Sequence, residues 1–141
     1  MKGSSYEIRV TYQETDMMGV VYYGNYLRWF EIGRTEYLRE KGMSYKEFED
    51  RGILLPVLES HCNYHSPARY DDLVTIKTKI SKLKRTKIEF DYEIIRSEDG
   101  ELIAIGSTVH PFVGSDFKPI SLKKKDKEIW NLIEQELVKS N

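Results

Sequence analysis

Residues 23–42 read YGNYLRWFEIGRTEYLREKG, and the placing of this stretch decides the fold. Asn25 is a helix-capping type and Gly42 a helix stop, so the spacing predicts a helix between them. Tyr26, Leu27, Trp29, Phe30 and Ile32 cover most of the circumference of its first two turns. A surface helix carries one apolar stripe, so this one is expected to be enclosed on several sides. Its later turns, with Arg34, Glu36, Arg39 and Glu40, are expected to return to water. A helix of about 16 residues is roughly 24 Å long, enough for long strands to wrap.

Upstream, residues 6–13 alternate like a strand, with Ile8 and Val10 on one face and Glu7 and Arg9 on the other. Downstream, SYKEFEDRG carries Ser44 and Glu47 three apart, a capping box that starts a short helix. Residues 53–65 form a strand-like run broken by Pro56. Residues 73–82 and 87–96 alternate, and SEDG at 97–100 marks a hairpin turn. Residues 101–113 are apolar on both faces, as in a central strand. Residues 66–72, SPARYDD, suit a turn between two strands. Hairpin-length connections make the last four strands antiparallel. A polar helix at about 123–139 carries Ile129, Trp130, Ile133 and Leu137 on one stripe. Segregated helices and strands indicate an α+β class, and 141 residues suit a single domain.

Composition narrows the function. A formal net charge of −1 gives no general pull towards nucleic acid or anionic membrane. No stretch approaches the ~20 apolar residues of a spanning helix, so no membrane insertion is expected. The one cysteine, Cys62, cannot form an internal disulfide, which fits a cytoplasmic protein. His61 and His65 would share a strand face, but no third ligand is near, so no metal site is expected. No GxSxG motif is present, which argues against a serine hydrolase.

The stretch YQETDMMGVVYYGNYLRWFE, at residues 12–31, resembles the signature of the hotdog-fold acyl-CoA thioesterases. The nearest branch is the 4-hydroxybenzoyl-CoA thioesterase-like one, which includes the Tol–Pal-associated enzymes. RTEYLRE, YHSPARYDDLVTIKTKI and RTKIEFDYEIIR fit the same pattern. The resemblance implies a long central helix wrapped by a curved antiparallel sheet. It further implies an acyl-CoA substrate, no metal or redox cofactor, and a homodimer or homotetramer with sites at the interface.

By that resemblance Asp16 matches the catalytic aspartate, and Tyr23 matches the helix-start residue whose main-chain N–H faces the thioester carbonyl. Tol–Pal-associated members commonly carry histidine at that position; this chain does not, and only the main-chain role survives. Tyr12 and Gly19 fall beside the substrate in the same motif. The chemistry is sound on its own terms. The first free N–H groups of a helix stabilise an oxyanion. A nearby carboxylate attacks the carbonyl or deprotonates a water.

Other readings compete. Aspartate is favoured in turns for its own sake. In another hotdog branch a helix glutamate does the chemistry, which makes Glu31 an alternative catalytic residue; an ion pair with Arg28 or Arg34, one turn away, is its simpler role. Tyr22 reads as a core aromatic. Arg85 and Lys87, in KLKRTK, are candidates for CoA phosphates against a plain solvated edge. Hydrolysis of acyl carrier protein thioesters, or acyl-CoA binding without turnover, would use the same fold.

Overall fold

In the computed structural model, which describes residues 3–140, the elements follow the expected order. They are β1 (Ser4–Arg9), a 3-10 turn (Tyr12–Glu14), α1 (Asn25–Glu40), α2 (Tyr45–Asp50), β2 (Glu59–Tyr64) and β3 (Leu73–Lys84). Then come β4 (Lys87–Arg96), β5 (Leu102–Pro111), α3 (Leu122–Lys125) and α4 (Lys127–Ser140). The five strands form one antiparallel sheet in the order β1-β3-β4-β5-β2. α1 touches β3 and β4 in the middle of the sheet and β1 and β2 at its edges, so the sheet curves around the helix.

Alternation is the reason these strands form one face of a core. Val74, Ile76, Thr78 and Ile80 of β3, and Ile88, Phe90, Tyr92 and Ile94 of β4, are all buried. Opposite them α1 buries Tyr26, Trp29, Phe30, Gly33, Tyr37 and Leu38. Phe30 stacks on Tyr92 with centroids 4.4 Å apart. Burying a side chain of that size contributes about 1.5–3 kcal/mol. The contact is tight enough to demand two glycines. A Cβ at Gly33 would lie 2.7 Å from Ile76 Cγ2, and one at Gly106 would lie 2.4 Å from Phe30 Cε2.

Several boundaries differ from the sequence reading. β1 ends at Arg9, because Thr11 and Glu14 turn the chain into the 3-10 segment. Asn25 is not the cap of α1 but its first residue; its Nδ2 donates to the Glu14 carbonyl at 2.8 Å. The helix buries one broad stripe and is not enclosed all round: Leu27 is 40% exposed. Arg34 does not return to water, and is buried at 8% exposure. β2 does not pair with β3 across residues 66–72; it joins β5 at the far edge, and the connection crosses the sheet. β5 is interior, but the central strand is β4. The terminal helix starts at Lys127, because Asp126 interrupts it and caps the new start through Ile129 N–H.

A buried polar chain links β4 and β5 to the segment that follows α2. His110 Nδ1 faces the Leu55 and Pro56 carbonyls at 3.3 and 3.2 Å, and carbonyls only accept, so this nitrogen carries the proton. His110 Nε2 then accepts from Thr108 Oγ1 at 2.7 Å, and Thr108 Oγ1 accepts from the Tyr92 hydroxyl at 2.5 Å. Burial, reinforced by the Arg34 charge, pushes His110 from its ordinary value near 6.5 down to about 4. The unfolded chain therefore takes up a proton below about 6.5 that the folded chain refuses until about 4. Stability is expected to fall as pH drops through that window, by about 3 kcal/mol in all. Denaturant melts at pH 7 and pH 4 check this; in His110→Gln the slope between pH 6.5 and 4 should flatten.

Candidate active site

Glu14 organises the region between β1 and α1. Its side chain is 4% exposed, yet it is an anion. Oε1 accepts from Thr11 N at 2.8 Å and Thr11 Oγ1 at 3.0 Å; Oε2 accepts from Trp29 Nε1 at 2.8 Å and from Arg28. Burial alone would raise its pKa, but these hydrogen bonds and the Arg28 charge outweigh it, and the carboxyl is held below its ordinary value. The Glu14 carbonyl meanwhile accepts from Tyr22 N at 2.9 Å and from Asn25 Nδ2. One residue thus fixes both ends of the loop between the turn and the helix.

That loop carries Asp16. Asp16 N donates to Val20 O at 2.9 Å, and Gly19 N donates to Asp16 O at 3.0 Å. Gly19, at φ +79°, supplies the left-handed conformation that the turn needs. Met18 N donates to Asp16 Oδ1 at 2.9 Å, which orients the carboxylate. Val21 N, bonded to Ala68 O at 2.8 Å, ties the loop to the β2–β3 crossover.

The same loop leads into the start of α1. Tyr22 O accepts from Asn25 N at 2.9 Å and Tyr23 O from Tyr26 N at 3.3 Å. Among the described residues nothing accepts from the Tyr23 or Gly24 N–H. These are the free donors of a helix start, with the positive end of the helix dipole behind them. Asp16 and Tyr23 line one cleft of about 340 Å³, together with Tyr26, Tyr64, His65 and Pro67. The cleft combines an aspartate, a residue whose main-chain N–H is unengaged, and largely apolar walls.

The other expected residues lie elsewhere. Gly19 shapes the turn without lining the cleft. Tyr12 is 74% exposed and stacks face to face on Tyr70, with centroids 3.8 Å apart. Arg85 and Lys87 sit at the β3–β4 turn. The cleft residues Ser66 and Pro67 precede the opposite end of β3, and β3 is roughly 36 Å long at about 3.3 Å per residue. Glu31 lines a different cavity. It forms no ion pair with Arg28, which engages Glu14, or with Arg34, whose Nε donates to Tyr45. Tyr22 is not core: it is 49% exposed. His61 and His65 face separate cavities, and no cluster of metal-ligand side chains occurs among the described residues.

Sequence reasoning missed Tyr64 and His65. Tyr64 ends β2, donates to Tyr23 O at 3.3 Å, and meets the rings of Tyr23 and Tyr26 edge-on. Burial and the neighbouring Cys62 push its pKa up to about 12, so its hydroxyl remains a donor at neutral pH. The signal was the spacing of Cys62 and Tyr64, which puts both on one face of β2; the β2–β5 pairing needed to place that face was not readable.

The family model described as the thioesterase-like superfamily matches residues 10–125. The chain belongs to that family. YneP of Bacillus subtilis is 37% identical over 125 residues, 88% of this chain and 90% of that protein. The acyl-CoA thioesterase YbgC of Haemophilus influenzae is 35% identical over 96 residues, 67% of this chain and 71% of that protein. The structure of a DHNA-CoA thioesterase from Staphylococcus aureus superposes with a TM-score of 0.89 at 38% identity, over 94% of this chain and 89% of that one. The hotdog fold and the thioester hydrolase expected from the resemblance both stand. No helix among the described residues is long and apolar enough to cross a membrane.

If Glu14 holds the site together, its loss should reach both global stability and the order of the loop before α1. Glu14→Gln should cost roughly 2–3 kcal/mol, because Arg28 loses its counter-charge and a buried N–H is left without a good acceptor. Denaturant melts measure the first effect. Amide hydrogen exchange measures the second, with faster exchange confined first to residues 15–24.

Proposed function

We propose that this protein hydrolyses acyl-CoA thioesters to free acid and CoA in the Asp16 cleft, working in the cytoplasm without metal or cofactor. The observation that carries the reading is that Asp16 and Tyr23, whose main-chain N–H is unengaged, line one cleft. The thioester carbonyl oxygen points at the Tyr23 N–H, and its carbon faces Asp16. Two routes use this arrangement. In one, Asp16 attacks the carbon, charge gathers on the carbonyl oxygen, collapse expels the CoA thiolate, and water cleaves the mixed anhydride. In the other, Asp16 removes a proton from a water that attacks directly. A thiolate leaves readily, so neither route needs a strong acid.

The active form is proposed to be a homodimer, alone or within a tetramer. One side of β2 pairs with β5, and its other edge has no strand beside it among the described residues. Val57 and Leu58, just ahead of it, are exposed at 52% and 54%. A second copy placed on this edge would cover them. It would also account for Arg85 and Lys87, which are too far from Asp16 within one subunit and would meet the CoA phosphates from the neighbour.

Asp16→Asn should cut kcat by about 10² to 10⁴ while acyl-CoA still binds, since Asn keeps the shape and loses the charge. Tyr23→Phe should stay within about tenfold, roughly 1.4 kcal/mol, because the donor is main-chain. Free CoA release from a panel of acyl-CoAs, aryl-CoAs and acyl carrier protein thioesters is the readout. Wild-type turnover in Asp16→Asn with loss in Glu31→Gln would transfer the chemistry to the helix glutamate.

The combined change of Arg85→Ala and Lys87→Ala should raise KM for acyl-CoA about tenfold or more, at ~1 kcal/mol per lost charged contact. KM for a truncated thioester lacking the nucleotide should hardly change. Equal changes for both substrates return the two residues to the solvated edge, and a fully active monomer in sedimentation removes the shared site.

A further inference from the structure

Arg34 is a buried cation without an anion. Its side chain is more than nine-tenths buried, and no carboxylate pairs with it among the described residues. Its Nε donates to the Tyr45 hydroxyl at 3.1 Å, and the Tyr92 hydroxyl is its other near partner. Burial raises both phenols above their ordinary range, Tyr92 to about 12, so both are neutral at neutral pH and cancel no charge. A guanidinium does not neutralise itself by losing its proton. A desolvated charge of this kind is costly until an anion reaches it.

An anion has a place to go. Arg34 lines a cavity of about 330 Å³ with Leu27, Arg28, Glu31, Ser60 and Thr108 among its walls. Arg28 is already matched by Glu14, and Thr108 is committed to His110 and Tyr92. Arg34 is thus the cavity's open positive charge, with the Ser60 hydroxyl as a neutral neighbour. Glu31 lines the same cavity but is exposed, so water and salt screen its charge, whereas Arg34 is buried.

The cavity and the Asp16 cleft draw on the same two elements. α1 gives Tyr26 to the cleft and Leu27 to the cavity; β2 gives Tyr64 to the first and Ser60 to the second. Along α1 the cleft takes Tyr26 and the cavity takes residues from Leu27 to Arg34, so the cavity's helical wall follows the cleft's in sequence. Tyr23, whose N–H takes the thioester carbonyl, and Arg34 are eleven residues apart, about 16 Å at helical rise. The Arg34 side chain leans back towards the N-terminus, which shortens the span. An extended chain covers roughly 1.2 Å per bond, so about eight to fourteen atoms bridge it.

We infer that the Arg34 cavity binds a carboxylate, and that this carboxylate is the far end of the acyl chain whose thioester sits at Asp16. The inference rests on the thioesterase reading for its second half and on the unpaired Arg34 for its first. The substrate class is then an acyl-CoA with a terminal carboxylate and a medium-length spacer. The fixed charge selects the far end of the chain and takes no part in the chemistry at the carbonyl.

The test compares suberyl-CoA with octanoyl-CoA, equal in chain length and different in the terminal carboxylate. Wild-type enzyme should show at least a tenfold higher kcat/KM for suberyl-CoA, mainly through KM. Arg34→Met should remove that preference and leave octanoyl-CoA within about threefold. Equal losses for both substrates would make Arg34 a framework residue and overturn the inference. Should Arg34→Met fail to fold, calorimetric titration of the folded Asp16→Asn protein decides the matter. Suberyl-CoA should bind at least tenfold tighter than octanoyl-CoA, and equal affinities would overturn the inference. Titrating free suberate into the wild-type protein separates the two halves. Suberate binding with neither thioester hydrolysed keeps the carboxylate site and removes the substrate assignment; no suberate binding, with octanoyl-CoA hydrolysed normally, removes the site and leaves the thioesterase.

Discussion

The Glu14 carboxylate is the interaction on which the rest of this structure depends. A buried anion is tolerated only when its lone pairs are filled, and here Thr11, Trp29 and Arg28 fill them. Trp29 belongs to the buried stripe of α1, and Thr11 follows the end of β1. The carboxylate therefore locks the helix to the incoming strand. Its carbonyl locks the loop as well, through Tyr22 N and Asn25 Nδ2. What remains free inside this frame is small: one side of the Asp16 carboxylate and the first N–H groups of α1. Those are the two groups that the proposed chemistry uses. Preorganisation of this kind matters because donors already in place need not reorganise as charge develops.

The packing under the site follows the same logic of few alternatives. Phe30 lies flat on Tyr92, and Gly33 and Gly106 are small because the helix and the sheet leave no room for a Cβ. Below that layer the hydrogen bonds run in one direction, from Tyr92 through Thr108 and His110 to the Leu55 and Pro56 carbonyls. A neutral His110 is what gives the chain its direction, since Nδ1 must donate and Nε2 must accept. The aromatic stack holds α1 over the sheet, and the polar relay fixes the Tyr92 ring on which that stack rests. The position of the helix N-terminus, and so of Tyr23, is set from below as much as from the loop.

Much of the fold was legible because alternation is a local property. Val74, Ile76, Thr78 and Ile80 announce their buried face in sequence, as do Ile88, Phe90, Tyr92 and Ile94. Which strand pairs with β2 is not local, and hairpin reasoning gave no hint that β2 crosses to β5. The burial of Arg34 was hidden for a similar reason: an arginine after two apolar turns reads as surface, and only the placement of Tyr45 and Tyr92 shows where it points. In the site, Asp16 and Tyr23 were singled out by a motif and meet in one cleft. Glu14 stood in the same motif, but its role depends on Arg28 and Trp29, fourteen and fifteen residues on, both reaching its carboxylate. Arg85 and Lys87 were singled out by charge alone, which says nothing of position, and one subunit does not bring them to the Asp16 cleft.

The central claim is that a thioester carbonyl is held at the start of α1, against the Tyr23 N–H and beside Asp16. It is tested most directly by amide chemical shifts on binding a non-hydrolysable acyl-CoA analogue in which a methylene replaces the thioester sulfur. The ketone oxygen then stands where the thioester oxygen would be. The account predicts that the Tyr23 amide proton moves downfield on saturation, with Gly24 following and the residues around Glu31 moving less. An unmoved Tyr23 amide, with the largest shifts clustered around Glu31, would contradict it.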